Sequence, residues 1–371
     1  MTTQTASKPH YLILDGLRGV AALVVLFYHI FEAIAFAPIN STTPEQNLYH
    51  GFIAVDFFFI LSGFVMGYAY DDRWNQMSLG NFIKRRIIRL HPMVIMGVVI
   101  GLICFCIQRC QQWDGTRVAL SALMICTLLQ LFCLPTPTSL DVRGNTEAFP
   151  LNGPTWSLFV EYIGSFCYGL FLHRLSTRTL KIWVVTAAIL LLGYSLYMNE
   201  NTIDYGWSSE PINLLGGLLR VSLGYPMGLL LARLFRNRKT TTVRKHMFLV
   251  CSIALLLIFL VPGLGAASVY YQLFCLCVAF PLIVWYGASG EVKAQHQPFL
   301  NYLGRLSYPL YAVHYPLIYL YIYWIKQVDP SGLQAWIAPI VVILAAIALG
   351  TLSMLYYDEP VRKWLTRKLL K

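Results

Sequence analysis

A histidine and an arginine lie within the first apolar run, LDGLRGVAALVVLFYHI at residues 14–30. Arg18 and His29 are eleven residues apart, so on a helix they share one face about 16 Å apart along the axis. Ionisable side chains in a membrane are costly and are usually kept for function. A neutral imidazole is the usual general base at pH 7. His29 is therefore predicted to be catalytic, and the alternative is that it hydrogen-bonds a neighbouring helix while Arg18 snorkels.

Two carboxylates are also predicted inside apolar segments. GFIAVDFFFILSGFVMGYAY carries Asp56, and a short connection should place this segment beside the first helix. Asp56 is therefore a candidate to bond His29 and fix its tautomer. GPTWSLFVEY places Ser157 and Glu161 one turn apart on one helix face. For both carboxylates, a structural hydrogen bond between helices remains the alternative.

A polar stripe follows near the end of the chain, in GRLSYPLYAVHYP. Ser307, Tyr311 and His314 are spaced i, i+4 and i+7, which places them on one face of an otherwise apolar helix. This second intramembrane histidine favours a reaction site or a proton path. Packing between helices is the alternative interpretation.

Arginines cluster in NFIKRRIIRLHP. Arg85 and Arg89 are four residues apart, and Arg86 and Arg89 are three apart, so they share a helix face. Forked guanidinium groups bind phosphate in a bidentate manner. A charged anchor at the cytoplasmic membrane surface would explain the same cluster.

These residues must be positioned by membrane helices. The chain has 371 residues, of which 57% are hydrophobic and 12% charged, whereas a soluble protein carries about 25% charged residues. Blocks of about 20 apolar residues are long enough to span a bilayer. We predict an all-α, polytopic transmembrane helical bundle with apolar segments at about 12–35, 51–70, 92–108, 118–134, 154–172, 182–198, 211–232, 247–262, 267–286, 303–325 and 334–357.

The basic clusters predict the orientation of these segments. Arginine and lysine concentrate at 73–89, 174–181, 233–245 and 362–371, all of which belong in the cytoplasm by the positive-inside rule. This requires about ten crossings with both termini cytoplasmic. One of the segments 92–108, 118–134 and 154–172 is then partial or re-entrant, and the short segment 118–134 is the expected exception.

The chain is predicted to form a single membrane domain over 1–371, with spans over about 12–357 and a basic amphipathic cytoplasmic tail at 358–371. The loop 197–213 faces outward on this topology and is acidic. The net charge of +11 is explained by the cytoplasmic loops, so the lipid bilayer and not nucleic acid is the expected partner. The nine cysteines lie almost wholly in apolar segments and are predicted to be buried thiols, without a metal site.

Considered alone, these residues leave different functions open. Buried histidines and carboxylates above a cytoplasmic arginine cluster fit an enzyme that transfers a group from a phosphate-bearing donor into the membrane. They fit a proton-coupled transporter of an acylated or glycan-related solute equally well. A structural membrane subunit is the third interpretation, which the number of buried ionisable groups disfavours.

The motifs taken together resemble the acyltransferase-3 family of integral-membrane acyltransferases. LDGLRGVAALVVLFYH and VDFFFILSGFVM are similar to its opening signatures, RRIIRLHP contains its R-x-x-R element, and GPTWSLFVEY, GRLSYPLYAVHYP and YDEPVRKW follow in the family's order. The resemblance implies an enzyme of about ten helices in the bacterial inner membrane. It would transfer an acyl group, most often acetyl, from the co-substrate acyl-CoA to a hydroxyl of a surface glycan or its lipid-linked precursor.

The resemblance also implies residue roles. His29 would be the catalytic residue, with Arg18, Arg86 and Arg89 at the donor site and Arg85 assisting. We expect Asp56 or Glu161 to orient His29, and Tyr311 or Ser307 to donate to the oxyanion. Whether a covalent acyl-enzyme forms is left open, with the candidate carriers Ser62, Ser157 and His314.

Overall fold

A computed structural model describes residues 11–35, 49–237 and 245–370. Both ends of the predicted domain 1–371, and part of the predicted basic loop at 233–245, lie outside these ranges. Within them the chain forms thirteen α-helices and no extended strand. The helices are α1 (Leu12–Ala35), α2 (Ala54–Tyr70), α3 (Leu79–Ile107), α4 (Leu120–Leu131), α5 (Thr155–Leu170), α6 (Thr177–Tyr197), α7 (Pro211–Arg236), α8 (Met247–Leu260), α9 (Ser268–Phe274), α10 (Phe280–Ala288), α11 (Gln297–Val328), α12 (Leu333–Ser353) and α13 (Glu359–Leu369).

All eleven predicted apolar segments are helical. A π-helical turn at Cys275–Ala279 joins α9 to α10, and another at Met354–Asp358 joins α12 to α13. Because no water satisfies backbone groups in the hydrocarbon core, a helix is the expected form for each segment. The prediction of an all-α polytopic membrane bundle is therefore confirmed.

Helix lengths bear on how many segments cross the membrane. In the described part of the chain, seven helical segments are long and apolar enough to span a bilayer. With 12 residues, α4 rises about 18 Å, well short of a hydrocarbon core of about 30 Å. Its 14-residue counterpart α8 is also short. The count of ten crossings stays a prediction.

The bundle is organised around two closely packed helix pairs, α1 with α11 and α2 with α7. At Gly63 an added Cβ would lie 1.9 Å from the Tyr225 carbonyl oxygen, and at Gly228 it would lie 1.9 Å from the Ile60 oxygen. Only glycine permits these approaches, as in other membrane helix pairs with small residues at the contact. The α2–α7 seam is therefore fixed at backbone distance.

The two ends of the bundle differ in charge and construction. The starts of α1 and α3 carry Arg18, Arg85 and Arg89, and this end, which α13 also covers, is called the basic end. The connections 108–119, 132–154 and 198–210 form the opposite, loop end. There the Ala148 amide donates to the Trp207 carbonyl (2.8 Å), which joins two of these connections.

Candidate active site

The residue best placed for chemistry is His29, which lies on α1 beside a carboxylate that the sequence analysis did not single out. Its Nδ1 is 2.7 Å from Oε2 of Glu32, one helical turn later. An ionised carboxylate can only accept, so a neutral imidazole beside it carries its hydrogen on Nδ1 and keeps its lone pair on Nε2. The Tyr315 hydroxyl donates to the same Glu32 oxygen (3.4 Å). His29 is thus held in the tautomer that a general base requires.

The second histidine, His314, stacks against the first. The two imidazole centroids are 5.4 Å apart with the rings inclined at 29°. His314 Nδ1 lies 2.9 Å from the Tyr311 carbonyl oxygen, which makes this nitrogen the donor. Its Nε2 is buried and has no hydrogen-bond partner among the residues that the structure describes. The predicted stripe therefore does meet the α1 face, with His314 packed beside His29.

His29 opens onto a cavity of about 470 Å³ that reaches the loop end. Aromatic residues, four of them tyrosines, are the largest group in its wall, and the other polar side chains are His29, three carboxylates, one amide and one lysine. The aromatic walls are Tyr28, Phe52, Trp113, Trp156, Trp207, Tyr311, Tyr315 and Tyr319. An apolar pocket with a few convergent polar groups is typical of a small-molecule site. This space is called the His29 cavity below.

Two loop carboxylates, Glu147 and Asp204, line the His29 cavity. Burial raises the pKa of Glu147 to about 7, although Arg143 and the hydroxyl of Tyr319, which donates to this carboxylate, act in the opposite direction. Burial likewise raises the pKa of Asp204 to about 6, against the influence of Arg220. Asp204 belongs to the acidic loop predicted to face outward, and its place in the cavity wall gives that loop a contact with the site.

The predicted contact between Asp56 and His29 is replaced by a different ion pair. Asp56 is fully buried, and both its oxygens accept from Arg220, at 3.1 Å from Nε and 2.7 Å from a terminal nitrogen. Arg220 also donates to the Tyr205 carbonyl (2.8 Å). The guanidinium offsets the free-energy cost of removing this carboxylate from water. Asp56 joins α2 to α7 and does not line the His29 cavity.

Glu161 also has partners other than His29. Its Oε1 accepts from Arg86 (3.0 Å) and from the Ser62 hydroxyl (2.9 Å). Arg86 is buried and donates to Ser165 as well (3.1 Å). The R-x-x-R element is therefore divided, because Arg86 is engaged inside the bundle while Arg89 turns to the basic end. Both arginines line the narrow cavity described below, and their joint binding of phosphate stays a prediction.

The remaining predicted hydroxyl groups are engaged nearby. The hydroxyls of Tyr311 and Ser157 lie 2.6 Å apart, and Tyr311 also lies 3.3 Å from the Pro154 carbonyl. Ser307 donates to the Gly304 carbonyl within its own helix (2.8 Å). Of the three hydroxyls, that of Tyr311 borders the His29 cavity.

A second, wider cavity of about 840 Å³ occupies the basic end. Arg18, Arg85 and Arg89 all line it, as the sequence predicts for a phosphate site. Arg18 keeps a carboxylate neighbour, since its terminal nitrogen is 3.3 Å from Asp15. This basic cavity is therefore lined by three of the four predicted donor-site arginines, and the exception is Arg86.

A narrow cavity of about 170 Å³ lies between the other two. It shares Arg18 and Arg89 with the basic cavity, and Val55 and Tyr311 with the His29 cavity. The predicted residues Glu161, Arg86 and Ser307 line it as well. Three adjoining spaces therefore lead from a cationic surface to His29.

Comparison with known proteins agrees with this arrangement. A family model described as an acyltransferase domain, that of acyltransferase-3, matches residues 11–357. The chain belongs to the acyltransferase-3 family. Membership accounts for the order of the six motifs, and it makes the protein a membrane acyltransferase with O-acetyltransferase relatives.

Three relatives illustrate the range within this family. The chain is 25% identical over 381 residues to the putative peptidoglycan O-acetyltransferase YrhL of Bacillus subtilis, covering 94% of this chain and 54% of YrhL. It is 24% identical over 389 residues to the peptidoglycan O-acetyltransferase OatA of Listeria monocytogenes, covering 97% and 57%. It is 30% identical over 185 residues to the acyltransferase MdmB of Streptomyces mycarofaciens, covering 47% and 43%. The chain thus spans about half the length of these relatives, and no solved structure matches it.

Proposed function

We propose that this acyltransferase uses acyl-CoA, with acetyl as the acyl group, and acylates a hydroxyl of a glycan or lipid-linked saccharide. In this proposal it lies in the bacterial inner membrane with the basic end in the cytoplasm. The observation that carries the proposal is the His29–Glu32 pair in a cavity that adjoins, through a narrow space, a cationic cavity at the other end.

The donor would enter from the basic cavity. Guanidinium groups bind phosphate through paired hydrogen bonds, and Arg18, Arg85 and Arg89 line that space. The pantetheine arm would extend through the narrow cavity, past Val55 and Tyr311, towards His29. Its thioester would then lie about 16 Å from Arg18, the rise of eleven helical residues.

The chemistry follows from the state of His29. Nε2 removes the proton from the acceptor hydroxyl as its oxygen attacks the thioester carbonyl carbon. The Tyr311 hydroxyl donates to the resulting oxyanion. The tetrahedral intermediate collapses with cleavage of the C–S bond, and the departing sulfur takes the proton from the imidazolium. Ester and free coenzyme A thiol are the products, and Glu32 stabilises the charged imidazolium between the two proton transfers.

Transfer in this proposal is direct and forms no acyl-enzyme. Of the candidate carriers, Ser62 donates to Glu161, which is paired with Arg86, and Ser157 is hydrogen-bonded to Tyr311. Within the described residues, neither serine is bonded to His29. A serine nucleophile needs a base within hydrogen-bond reach. The buried His314 donates through Nδ1 to a backbone carbonyl and packs beside the base.

The acceptor would enter from the loop end. Aromatic rings such as Trp113 and Trp207 offer flat apolar faces for a sugar ring, while Glu147, Asp204 and Asn145 offer hydrogen-bond acceptors for its hydroxyl groups. The names of YrhL and OatA, both peptidoglycan O-acetyltransferases, also support a glycan. The outward acidic loop supplies Asp204 to this wall.

The test uses purified protein in liposomes with labelled acetyl-CoA and a bacterial glycolipid extract. We expect His29→Ala to bind the donor normally and to lower transfer about 10²–10⁴-fold, the usual contribution of a general base. Arg89→Ala should weaken donor binding about tenfold, because it removes a charge-assisted contact. The exposed Arg178→Ala provides the matched control.

Two results would contradict the proposal. If wild-type protein does not bind acetyl-CoA or any other acyl-CoA, the donor is wrong. If His29→Ala retains full transfer, the base is wrong. Solute uptake that survives Arg89→Ala, with no acyl transfer by the wild type, would support the proton-coupled transporter instead.

A further inference from the structure

Helix α13 is docked onto the basic end of the bundle. Glu359 accepts from Arg305 of α11 (2.7 Å), and Asp358 accepts from Arg362 (2.9 Å). The π-helical turn at Met354–Asp358 directly precedes the helix and carries the buried Asp358. The predicted role of this segment is that of a basic helix on the membrane surface. In the structure its start is tied to α11 by the ion pair between Glu359 and Arg305.

One face of α13 lines the basic cavity. The lining positions follow helical spacing and are Glu359, Arg362, Lys363, Thr366 and Arg367, with Leu370 just after the helix. Lys363 and Arg367 are four residues apart, so their side chains are neighbours on this face. The tail therefore adds cations to the wall that Arg18, Arg85 and Arg89 begin.

The cations of the basic cavity are unequally paired. Seven basic and three acidic side chains line it, an excess of four positive charges. Arg18, Arg305 and Arg362 each have a carboxylate within 4 Å. Among the residues that the structure describes, four cations of this wall have no such partner, namely Arg85, Arg89, Lys363 and Arg367. An anionic ligand would supply the missing partners.

We propose that Lys363 and Arg367 bind the 3′-phosphate of the coenzyme A donor, an inference that rests on the proposed function. Arg18 and Arg89 border the narrow cavity, so they would meet the pyrophosphate from which the pantetheine arm departs. Lys363 and Arg367 line only the basic cavity, on the wall built by α13, which suits the more distant monoester phosphate.

The charges of the ligand and of the basic cavity are similar in size and opposite in sign. A phosphate monoester carries about −1.5 to −2 at pH 7, and the two phosphates of the pyrophosphate carry one charge each. Coenzyme A therefore brings about four negative charges to a cavity with an excess of four positive ones. The 3′-phosphate accounts for nearly half of the ligand's charge, which is a reason for two cations to be reserved for it.

An anionic lipid headgroup presents the same phosphate chemistry to a basic helix at a membrane surface. The experiment must therefore separate two sources of phosphate. Dephospho-coenzyme A, which lacks only the 3′-phosphate, isolates the contribution of that group. Liposomes made with and without phosphatidylglycerol isolate the contribution of lipid.

The measurement is the Kd of the full-length protein in liposomes for coenzyme A and for dephospho-coenzyme A. We expect Lys363→Ala/Arg367→Ala to raise the Kd for coenzyme A about tenfold and to leave the Kd for dephospho-coenzyme A within about twofold. The effect should be the same in both lipid compositions. Lys363→Arg, which keeps the charge, should bind as the wild type does.

Lys368→Ala is the matched control, because Lys368 is an exposed cation of α13 outside the cavity lining, near the ring of Trp364. The inference is overturned if Lys368→Ala weakens binding as much as the double variant, if both ligands lose affinity equally, or if the loss appears only with phosphatidylglycerol. It is also overturned if the double variant binds normally. Failure of the wild type to bind coenzyme A would instead overturn the proposed function.

Discussion

The α2–α7 seam and the basic end hold arginines in opposite states. In the seam, Arg220 is fully buried and donates to both oxygens of Asp56 and to a backbone carbonyl. At the basic end, Arg89 faces two cavities without a carboxylate partner in the described part of the chain. Arg220 therefore completes its hydrogen bonds within the protein, whereas Arg89 has N–H donors that a ligand could use.

This contrast distinguishes charges that hold helices together from charges that are available to a ligand. Asp56 and Glu161 lie in apolar segments as His29 does, yet each is paired with an arginine. His29 is held by Glu32 through Nδ1, and within the described residues no hydrogen bond engages its Nε2. A buried ionisable group is a candidate for catalysis when one of its hydrogen-bonding atoms has no partner in the protein and the group borders a cavity.

The largest expected effect lies in the seam. Arg220→Ala leaves the Asp56 carboxylate buried without its partner, and breaking a buried pair in this way costs about 3–5 kcal/mol. We expect a correspondingly large fall in the free energy of unfolding, measured by thermal unfolding in detergent. Arg89→Ala should change stability by less than about 1 kcal/mol. Equal losses in the two variants would remove the distinction between the regions.

A smaller effect is expected at the His29–Glu32 pair, which is catalytic in the proposed function. Glu32→Gln keeps the shape of the side chain but removes the charge that stabilises the imidazolium and fixes its tautomer. We expect kcat to fall about 10–10²-fold, less than the fall for His29→Ala, while the Kd for acetyl-CoA stays unchanged. The exposed Glu200→Gln is the control. A change in Kd without a change in kcat would assign Glu32 to donor binding.

The smallest effect concerns Glu147 at the loop end. Its pKa is raised to about 7 in the folded protein, so between its ordinary value of about 4.5 and about 7 the folded state binds more protons than the unfolded state. The contribution of this group to the free energy of unfolding is therefore fully present below about pH 4.5. It is lost as the pH rises through about 7.

Glu147→Gln lacks this titration. We expect Tm to fall less between about pH 5 and about pH 8 in the variant than in the wild type, because only the wild type loses a proton-linked contribution in that window. Thermal unfolding at the two pH values measures the difference. Parallel losses in both proteins would show that Glu147 titrates normally.

Much of the architecture could be predicted from the sequence. Each apolar block is a helix, because a membrane leaves few other ways to satisfy the backbone. The eleven-residue spacing of Arg18 and His29 placed them on one helix, and the spacing of Tyr311 and His314 placed those two near the same site. These predictions depend on period and hydropathy, which are local properties of the chain.

The partners of the buried charges were not predictable in the same way. Asp56 and Arg220 are 164 residues apart, and no spacing rule joins them. Arg220 did give a signal, since a lone arginine in the apolar run GLLRVSLGYP needs an anion. Glu32 could have been predicted from the sequence. The spacing H-x-x-E places its carboxylate one helical turn beyond His29, just after the apolar run ends.

The narrow cavity between the two wider ones has an electrical consequence. Where two cavities enter a membrane protein from opposite ends, the transmembrane voltage falls mainly across the short stretch between them. Moving one charge through that stretch involves about 2.3 kcal/mol per 100 mV. The donor's phosphates would remain beside Arg89, and the thioester that passes inward is uncharged. In the proposed reaction, acyl transfer would therefore be driven by the thioester bond and would be independent of the membrane potential.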